Sequence, residues 1–268
     1  MSISKYGFIG CGNMGGCLAR AVCKAVGSND VLIADKMTEK AKLLADELKC
    51  DFNDTKSIAQ SCKYIFLGVK PQVMKIALDE ISSILKERND RFILISMAAG
   101  IEIANLESML GFACPIIRIM PNTPVSAGEG MIVYSFNQKV LDEELNDFKK
   151  ALQFVGKLDE IDEGLINSAT AVSGCGPAFV YLFAEAMADA GMECGLTGEK
   201  ALEYAIQTIA GAAKLMQTSS KHPSVLRDEV CSPGGSTIEG VHSLEDNNFR
   251  DVVKMAVKAS FDKTNKLN

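Results

Sequence analysis

YGFIGCGNMG, residues 6 to 15, decides the fold. A short apolar run, YGFIGC, reads as a strand, and helical periodicity follows from Asn13 to Val26. Between them Gly10-Cys11-Gly12-Asn13-Met14-Gly15 makes a G-x-G-x-x-G, the pattern of a dinucleotide-binding turn when it joins a first strand to a first helix. The three glycines do different physical work. Gly10 permits the tight turn, Gly12 lets a pyrophosphate approach the backbone, and Gly15 lets helix and strand pack closely. The helix start at Asn13 and Met14 offers N–H groups and the positive end of a dipole. Asp35, closing the next apolar run VLIAD at 31 to 35, stands where a ribose ligand is expected, about 20 residues on.

Asp35 favours an unphosphorylated adenosine ribose, whereas the ammonium of Lys36 suits a 2′-phosphate, so the pair leaves NADH and NADPH both open. Further strand ends carry similar loops. Val69-Lys70-Pro71-Gln72 follows one, Ser96-Met97-Ala98-Ala99-Gly100 the next, and Met120-Pro121-Asn122-Thr123-Pro124 another. Ligands bind at such carboxyl ends, small residues let a flat ring come near the backbone, and proline fixes loop shape. Val69, Lys70, Pro71, Ala98, Ala99, Gly100 and Asn122 therefore join Gly10, Gly12, Asn13, Met14, Gly15, Asp35 and Lys36 as candidate cofactor-binding residues.

Outward from this turn, strands read at 31 to 35, 64 to 69, 92 to 97, PIIRIMP and 130 to 136, with helices between them at 38 to 49, 55 to 61, 73 to 86 and IANLESML. Such alternation predicts an α/β Rossmann-type, doubly wound parallel sheet. After about residue 138 the remainder reads as helical, including LDEELNDFKKALQFVG, and two last helices are expected at roughly 237 to 246 and 249 to 264. The expected domains are 1–160, dinucleotide-binding, and 161–268, an all-α substrate-binding and dimerisation domain.

The bulk properties exclude several classes. At 268 residues and 47% hydrophobic the chain can bury a large core. A net charge of -6 leaves no basic field for nucleic acid. The nine cysteines are odd in number, lack any C-x-x-C and sit mostly in apolar periodic segments, as reduced structural thiols would, and no metal site is expected. The N-terminus carries neither a basic n-region nor a small-residue cleavage site, which predicts a cytoplasmic protein. Ile166 to Ala184 is uncharged and long enough to span a bilayer, yet Gly174, Gly176 and Pro177 break it at its midpoint. It reads instead as two helices buried against protein, either as internal core or at a subunit interface.

CSPGGSTIEG, residues 231 to 240, is a turn with more Gly, Ser and Thr than a turn needs, and its N–H groups enter a helix as an anion seat would. Together with FIGCGNMGG, GVKPQ, SMAAGI, RIMPNTP and TAVSGCGPAFVYLFAEAMADAG, the stretch SPGGSTIEGVHSLE resembles pyrroline-5-carboxylate reductase over essentially the whole chain. The SGCGPAF helix pair and the SPGG-x-T turn separate this family from other Rossmann dehydrogenases. The resemblance implies NAD(P)H-dependent reduction of 1-pyrroline-5-carboxylate to L-proline, the last step of proline biosynthesis. It also implies a homodimer, and a substrate carboxylate held by the turn from Ser232 through Gly234, Gly235 and Ser236 to Thr237. The Thr237 hydroxyl is then the catalytic contact to the ring nitrogen, with a helix N-cap as the competing role. No strong acid stands near the turn, and a cyclic imine that arrives protonated needs orientation more than titration. His242 reads as a structural or interface residue and His222 as a helix start.

The chain departs from the family pattern in three places. Gly15 stands where alanine is frequent, Ser219-Ser220-Lys221 replaces an acidic residue, and Asp35-Lys36 differs from the Asn-Arg type of pair. Two other functions compete. A β-hydroxyacid-type dehydrogenase needs a lysine after its Gly-rich turn, and PAFVYLFAEA has none to deprotonate an alcohol. A non-catalytic dinucleotide sensor has no use for an open Gly-rich seat in its helical half.

Overall fold

The computed structural model describes residues 5–266. Strand β1 (Tyr6–Ile9) leads into α1 (Asn13–Val26), followed by β2 (Val31–Ala34), α2 (Thr38–Leu48), the two-residue β3 (Asp51–Phe52), α3 (Thr55–Ser61) and β4 (Tyr64–Leu67). Then come α4 (Met74–Glu87), β5 (Ile93–Ser96), α5 (Ile103–Leu110), β6 (Ile116–Met120), β7 (Gly130–Phe136), α6 (Asp142–Ala151) and β8 (Gly156–Glu160). The sheet runs β3-β2-β1-β4-β5-β6-β7-β8. The strand order reverses at β1, and that reversal opens a crevice at the carboxyl ends of β1 and β4.

Alternate residues of the strands feed two apolar clusters. Phe8, Ile33, Phe66, Ile95 and Ile117 belong to one, and Ile9, Leu32, Ile65, Leu67 and Leu94 to the other. Both faces of the sheet are thus covered, which is why these strands are continuous apolar runs. Phe8 and Phe66 stack across β1 and β4 with centroids 4.4 Å apart.

Two features differ from the sequence reading. β7 pairs antiparallel with β6. Residues 121 to 129 hold only a short 3-10 turn, too little chain for the crossover a parallel neighbour requires. β8, read as part of a helical segment, pairs parallel with β7 after the α6 crossover. It is a charged edge strand, GKLDE, with little apolar alternation to announce it.

The described residues divide into two compact units, one reaching Gly174 and resuming at Phe261, the other Cys175–Ser260. In the first, α7 (Ile166–Ala169) continues into a π-helical turn, Thr170–Gly174. The second holds α8 (Gly176–Glu193), α9 (Gly198–Thr218), α10 (Pro223–Val230), α11 (Ser236–Asp246) and most of α12 (Phe249–Thr264). Its buried residues are small: Ala188, Ala201 and Ala205 pack α8 on α9, and a Cβ on Gly191 would lie 3.2 Å from that of Ala201. The large apolar side chains of α8 are outside, with Tyr181 62% and Leu182 67% exposed. The uncharged stretch is thus divided: Ile166, Thr170 and Ala171 are buried in the first unit, whereas the large apolar side chains of α8 are not covered by their own unit.

Arg118, in mid-β6, is fully buried. Its Nη1 donates to Glu163 Oε1 at 3.0 Å, and that oxygen also accepts from the Ile103 N–H at 2.8 Å, at the start of α5. The Nε and Nη2 atoms have no partner among the described residues. Glu163→Ala therefore leaves a buried guanidinium without its counter-charge, an expected loss of about 3 kcal/mol. Thermal unfolding should show a melting temperature lower by roughly 6 °C or more. Arg118→Met, which removes the charge and fills the space, should cost less.

Candidate active site

The G-x-G-x-x-G turn is built by backbone touching backbone. Gly10 has φ +97, and a Cβ there would lie 2.8 Å from the Gly68 carbonyl carbon. One on Gly15 would lie 2.1 Å from the Gly10 oxygen, so alanine at this position requires the turn itself to shift. Gly12 is different. It is the N-cap of α1, with φ -65 and ψ -174, no side chain caps that helix, and a Cβ on it would meet nothing within 4 Å. Packing therefore does not require glycine at position 12, and its bare backbone is open to an incoming group.

Asp35 holds the turn from the second strand. Its Oδ2 accepts from the Cys11 N–H at 2.7 Å and its Oδ1 from the Met37 N–H at 2.9 Å. The Cys11 thiol donates to the Ala34 carbonyl at 3.5 Å, and burial, then the Asp35 charge, pushes its pKa up to about 12. That cysteine remains a protonated, inert packing group.

Beside the turn lies a cavity of about 760 Å³ at the ends of β1, β2 and β4. Of the candidate cofactor residues, Gly10, Gly12, Asp35, Lys36, Val69 and Lys70 line it. So do Thr38 and Lys40 from the first turn of α2, Asn53 and Thr55 after β3, and Val73, Ile76 and Ala77 at the start of α4. The sequence reading missed these residues. Their only signal was the i, i+3, i+4 spacing of the last three, which any helix face shares. An uncapped helix start, an unobstructed Gly12 and a carboxylate at the second strand end fit a dinucleotide.

The other candidates stand elsewhere. Asn13 and Met14 form the first turn of α1, and Pro71 opens a 3-10 turn after Lys70. Ala98 is buried, Ala99 packs on a cluster of Met120, Val133 and Ile166, and Gly100 takes φ +79. Asn122 is a clasp between loops: its Nδ2 donates to the Ser173 carbonyl in the π-helical turn at 2.9 Å, and its Oδ1 accepts from the Met131 N–H at 2.8 Å.

Ser232, Gly234, Gly235, Ser236 and Thr237 lie in the second unit. The Gly235 N–H closes a turn on the Ser232 carbonyl at 3.0 Å, and Gly234 adopts φ +69 with open space where a Cβ would be. The N-cap of α11 is Gly235, φ -85 and ψ 167, and no side chain caps it. Thr237 is the second residue of the helix, so its hydroxyl is not the cap. His222 does cap a helix, accepting from the Ser224 N–H at the start of α10, and His242 is exposed 4.0 Å from Glu239.

Gly10 and Gly12 separate packing from binding. Gly10→Ala should lower the melting temperature of the protein without cofactor, through a cost of about 1–3 kcal/mol for the forced backbone. Gly12→Val should leave that melting temperature nearly unchanged and abolish the nucleotide fluorescence titration.

Two family models match the chain: pyrroline-5-carboxylate reductase dimerisation over residues 163–267, and NADP oxidoreductase, coenzyme F420-dependent, over residues 5–100. The pyrroline-5-carboxylate reductase of Escherichia coli is 36% identical over 267 residues, 98% of either chain. That of Aquifex aeolicus is 34% identical, over 98% of this chain and 97% of its own. Among solved structures, pyrroline carboxylate reductase of Plasmodium falciparum with NADP bound superposes with a TM-score of 0.88 at 33% identity, over 99% of this chain and 98% of that one.

Proposed function

The chain belongs to the pyrroline-5-carboxylate reductase family, and on that premise we propose how its own residues carry out the reaction. It is an NAD(P)H-dependent oxidoreductase that reduces the C=N bond of 1-pyrroline-5-carboxylate to give L-proline. When bound, the reduced dinucleotide supplies the hydride.

Gly12 and the first turn of α1 receive the pyrophosphate, which the uncapped helix start and the missing Cβ at Gly12 support. Asp35 keeps the turn in shape through the Cys11 N–H while lining the same cavity. The domain assignment, 1–160 for the dinucleotide and 161–268 for substrate and dimerisation, follows the same division of labour. Gly15 acts through packing, and Gly10 both packs against Gly68 and lines the cavity. Asn122 acts indirectly, by tying the loop after β6 to the π-helical turn.

The substrate carboxylate sits on the N–H groups of Ser236 and Thr237. The single observation that carries this reading is the glycine N-cap of α11, which leaves those donors without a side-chain acceptor and their approach unobstructed by Gly234. Ser232 shapes the seat by accepting from Gly235. Thr237, free of capping, offers its hydroxyl to the ring nitrogen and orients an imine that is already protonated. No proton need leave the enzyme: the added hydride and the proton already on nitrogen complete the amine.

The apolar faces of α8 and α9 pack against a second copy, a homodimer in keeping with the dimerisation model matched over 163–267. Glu163–Glu193 is long and apolar enough to cross a membrane, but the π-helical turn interrupts it and a protein partner suits its mixed aromatic and small-residue surface. A cytoplasmic location and a small-molecule substrate complete the reading.

Thr237→Ala should lower kcat/KM by about tenfold to a hundredfold for the lost hydrogen bond. The far-UV spectrum and melting temperature should not change. Unaltered kinetics would remove Thr237 from the site.

A further inference from the structure

The loop after β5 is pinned at both ends by buried polar side chains. Ser96, Arg118 and Ser135 are register neighbours across β5, β6 and β7, so the three share one face of the sheet. At the start of the loop the Ser96 hydroxyl accepts the Ala98 N–H at 3.4 Å. At its end Glu163 Oε1 accepts the Ile103 N–H at 2.8 Å while also accepting from Arg118. Between these points the Ile101 N–H closes on the Ala98 carbonyl at 3.4 Å, Gly100 turns with φ +79, and Ala99 packs on the cluster of Met120 and Ile166. The Glu102 N–H finds a local acceptor, Asn105 Oδ1 at 3.2 Å. Ile103, the first residue of α5, takes one 60 residues away instead.

For stability alone this ion pair is a poor choice. Arg118 Nε and Nη2 are buried without a partner among the described residues, a desolvation cost that a well-packed apolar pair would not carry. What the guanidinium does provide is a fixed place for the Glu163 carboxylate at the start of α5, where negative charge is favoured. Glu163 also opens the short 3-10 turn that leads into α7 and the π-helical turn held by Asn122. A single carboxylate oxygen therefore joins the loop of Ala98, Ala99 and Gly100 to the segment that runs on to Gly174.

Resting on the assignment of Ala98, Ala99 and Gly100 to the dinucleotide, we propose that Glu163 is a positioning residue for hydride transfer. It acts through the Ile103 N–H to fix the loop against which the reduced ring lies, and Arg118 holds its carboxylate for that purpose. A loop displaced by about 1 Å slows the chemical step without preventing binding, because transfer depends steeply on the approach of the reacting atoms.

Two double variants separate this role from stability. Glu163→Ala with Arg118→Met removes both charges, so none is left buried and uncompensated, but it deprives the Ile103 N–H of its acceptor. Glu163→Gln with Arg118→Met removes the same charges and keeps an amide oxygen for that N–H. The hydride-transfer rate constant is measured in a single turnover, with full-length protein in excess over NADPH and rapid mixing with 1-pyrroline-5-carboxylate. Because it is read from the time course and not from the amplitude, it does not depend on the fraction of protein folded. The first variant should transfer hydride about tenfold to a hundredfold more slowly than the unaltered protein, and the second within about threefold of it. The nucleotide fluorescence titration should change little in either. A role in stability alone predicts the same rate constant in all three proteins, and that result would overturn the proposal and leave the reductase reading standing. Equal slowing of both variants would also overturn it, since the acceptor would then not be what matters. No hydride transfer by the unaltered protein would overturn the proposal and the reductase reading together.

Discussion

The absence of room for a side chain between β1, α1 and β4 is the constraint on which the first unit depends. Gly10, Gly15 and Gly68 bring three stretches of backbone so close that a Cβ on any of them would collide with main-chain atoms. That approach seats the first helix at the point where the strand order reverses, and the Asp35 carboxylate secures it by accepting the Cys11 N–H. Gly12 lies in the same turn but has free space around it. The motif thus combines glycines that make the scaffold with one that leaves it accessible.

The second unit repeats the arrangement with different surroundings. Gly235 caps α11 as Gly12 caps α1: both are extended, neither helix start has a side-chain acceptor, and among the described α-helices these are the two with a glycine N-cap. Elsewhere the chain does supply capping side chains, Asp54 for α3 and His222 for α10. A glycine N-cap offers its helix start no side-chain acceptor, and that is intelligible where an anion completes the start. In the proposed mechanism one serves a pyrophosphate and the other a carboxylate, so hydride donor and acceptor are each held by backbone donors with no titrating group.

Much of this was legible in the sequence because it is local. The strand, turn and helix of residues 6 to 26 follow from periodicity and glycine spacing, and β7 matches its apolar run, Gly130–Phe136, in full. What escaped was set by tertiary context. GKLDE is charged at Lys157, Asp159 and Glu160, and becomes a strand by pairing with β7. The reversed direction of β7 follows from a loop too short to cross the sheet. Asn122 read as a ligand because it ends a strand, yet the partners of its amide lie 9 and 51 residues away and leave no trace in spacing. Lys40 and Thr38 entered the cavity because α2 starts beside it, a fact that periodicity does not carry.

The central claim is that a substrate carboxylate is seated at the start of α11 and that this seat delivers the imine for reduction. It is tested most directly by following the loss of reduced-nicotinamide absorbance with 1-pyrroline-5-carboxylate and, in parallel, with 1-pyrroline, the same ring without its carboxylate. The account predicts turnover of the first and a kcat/KM for the second lower by about a hundredfold or more, the loss of one charge-assisted contact. Comparable turnover of both rings would contradict it.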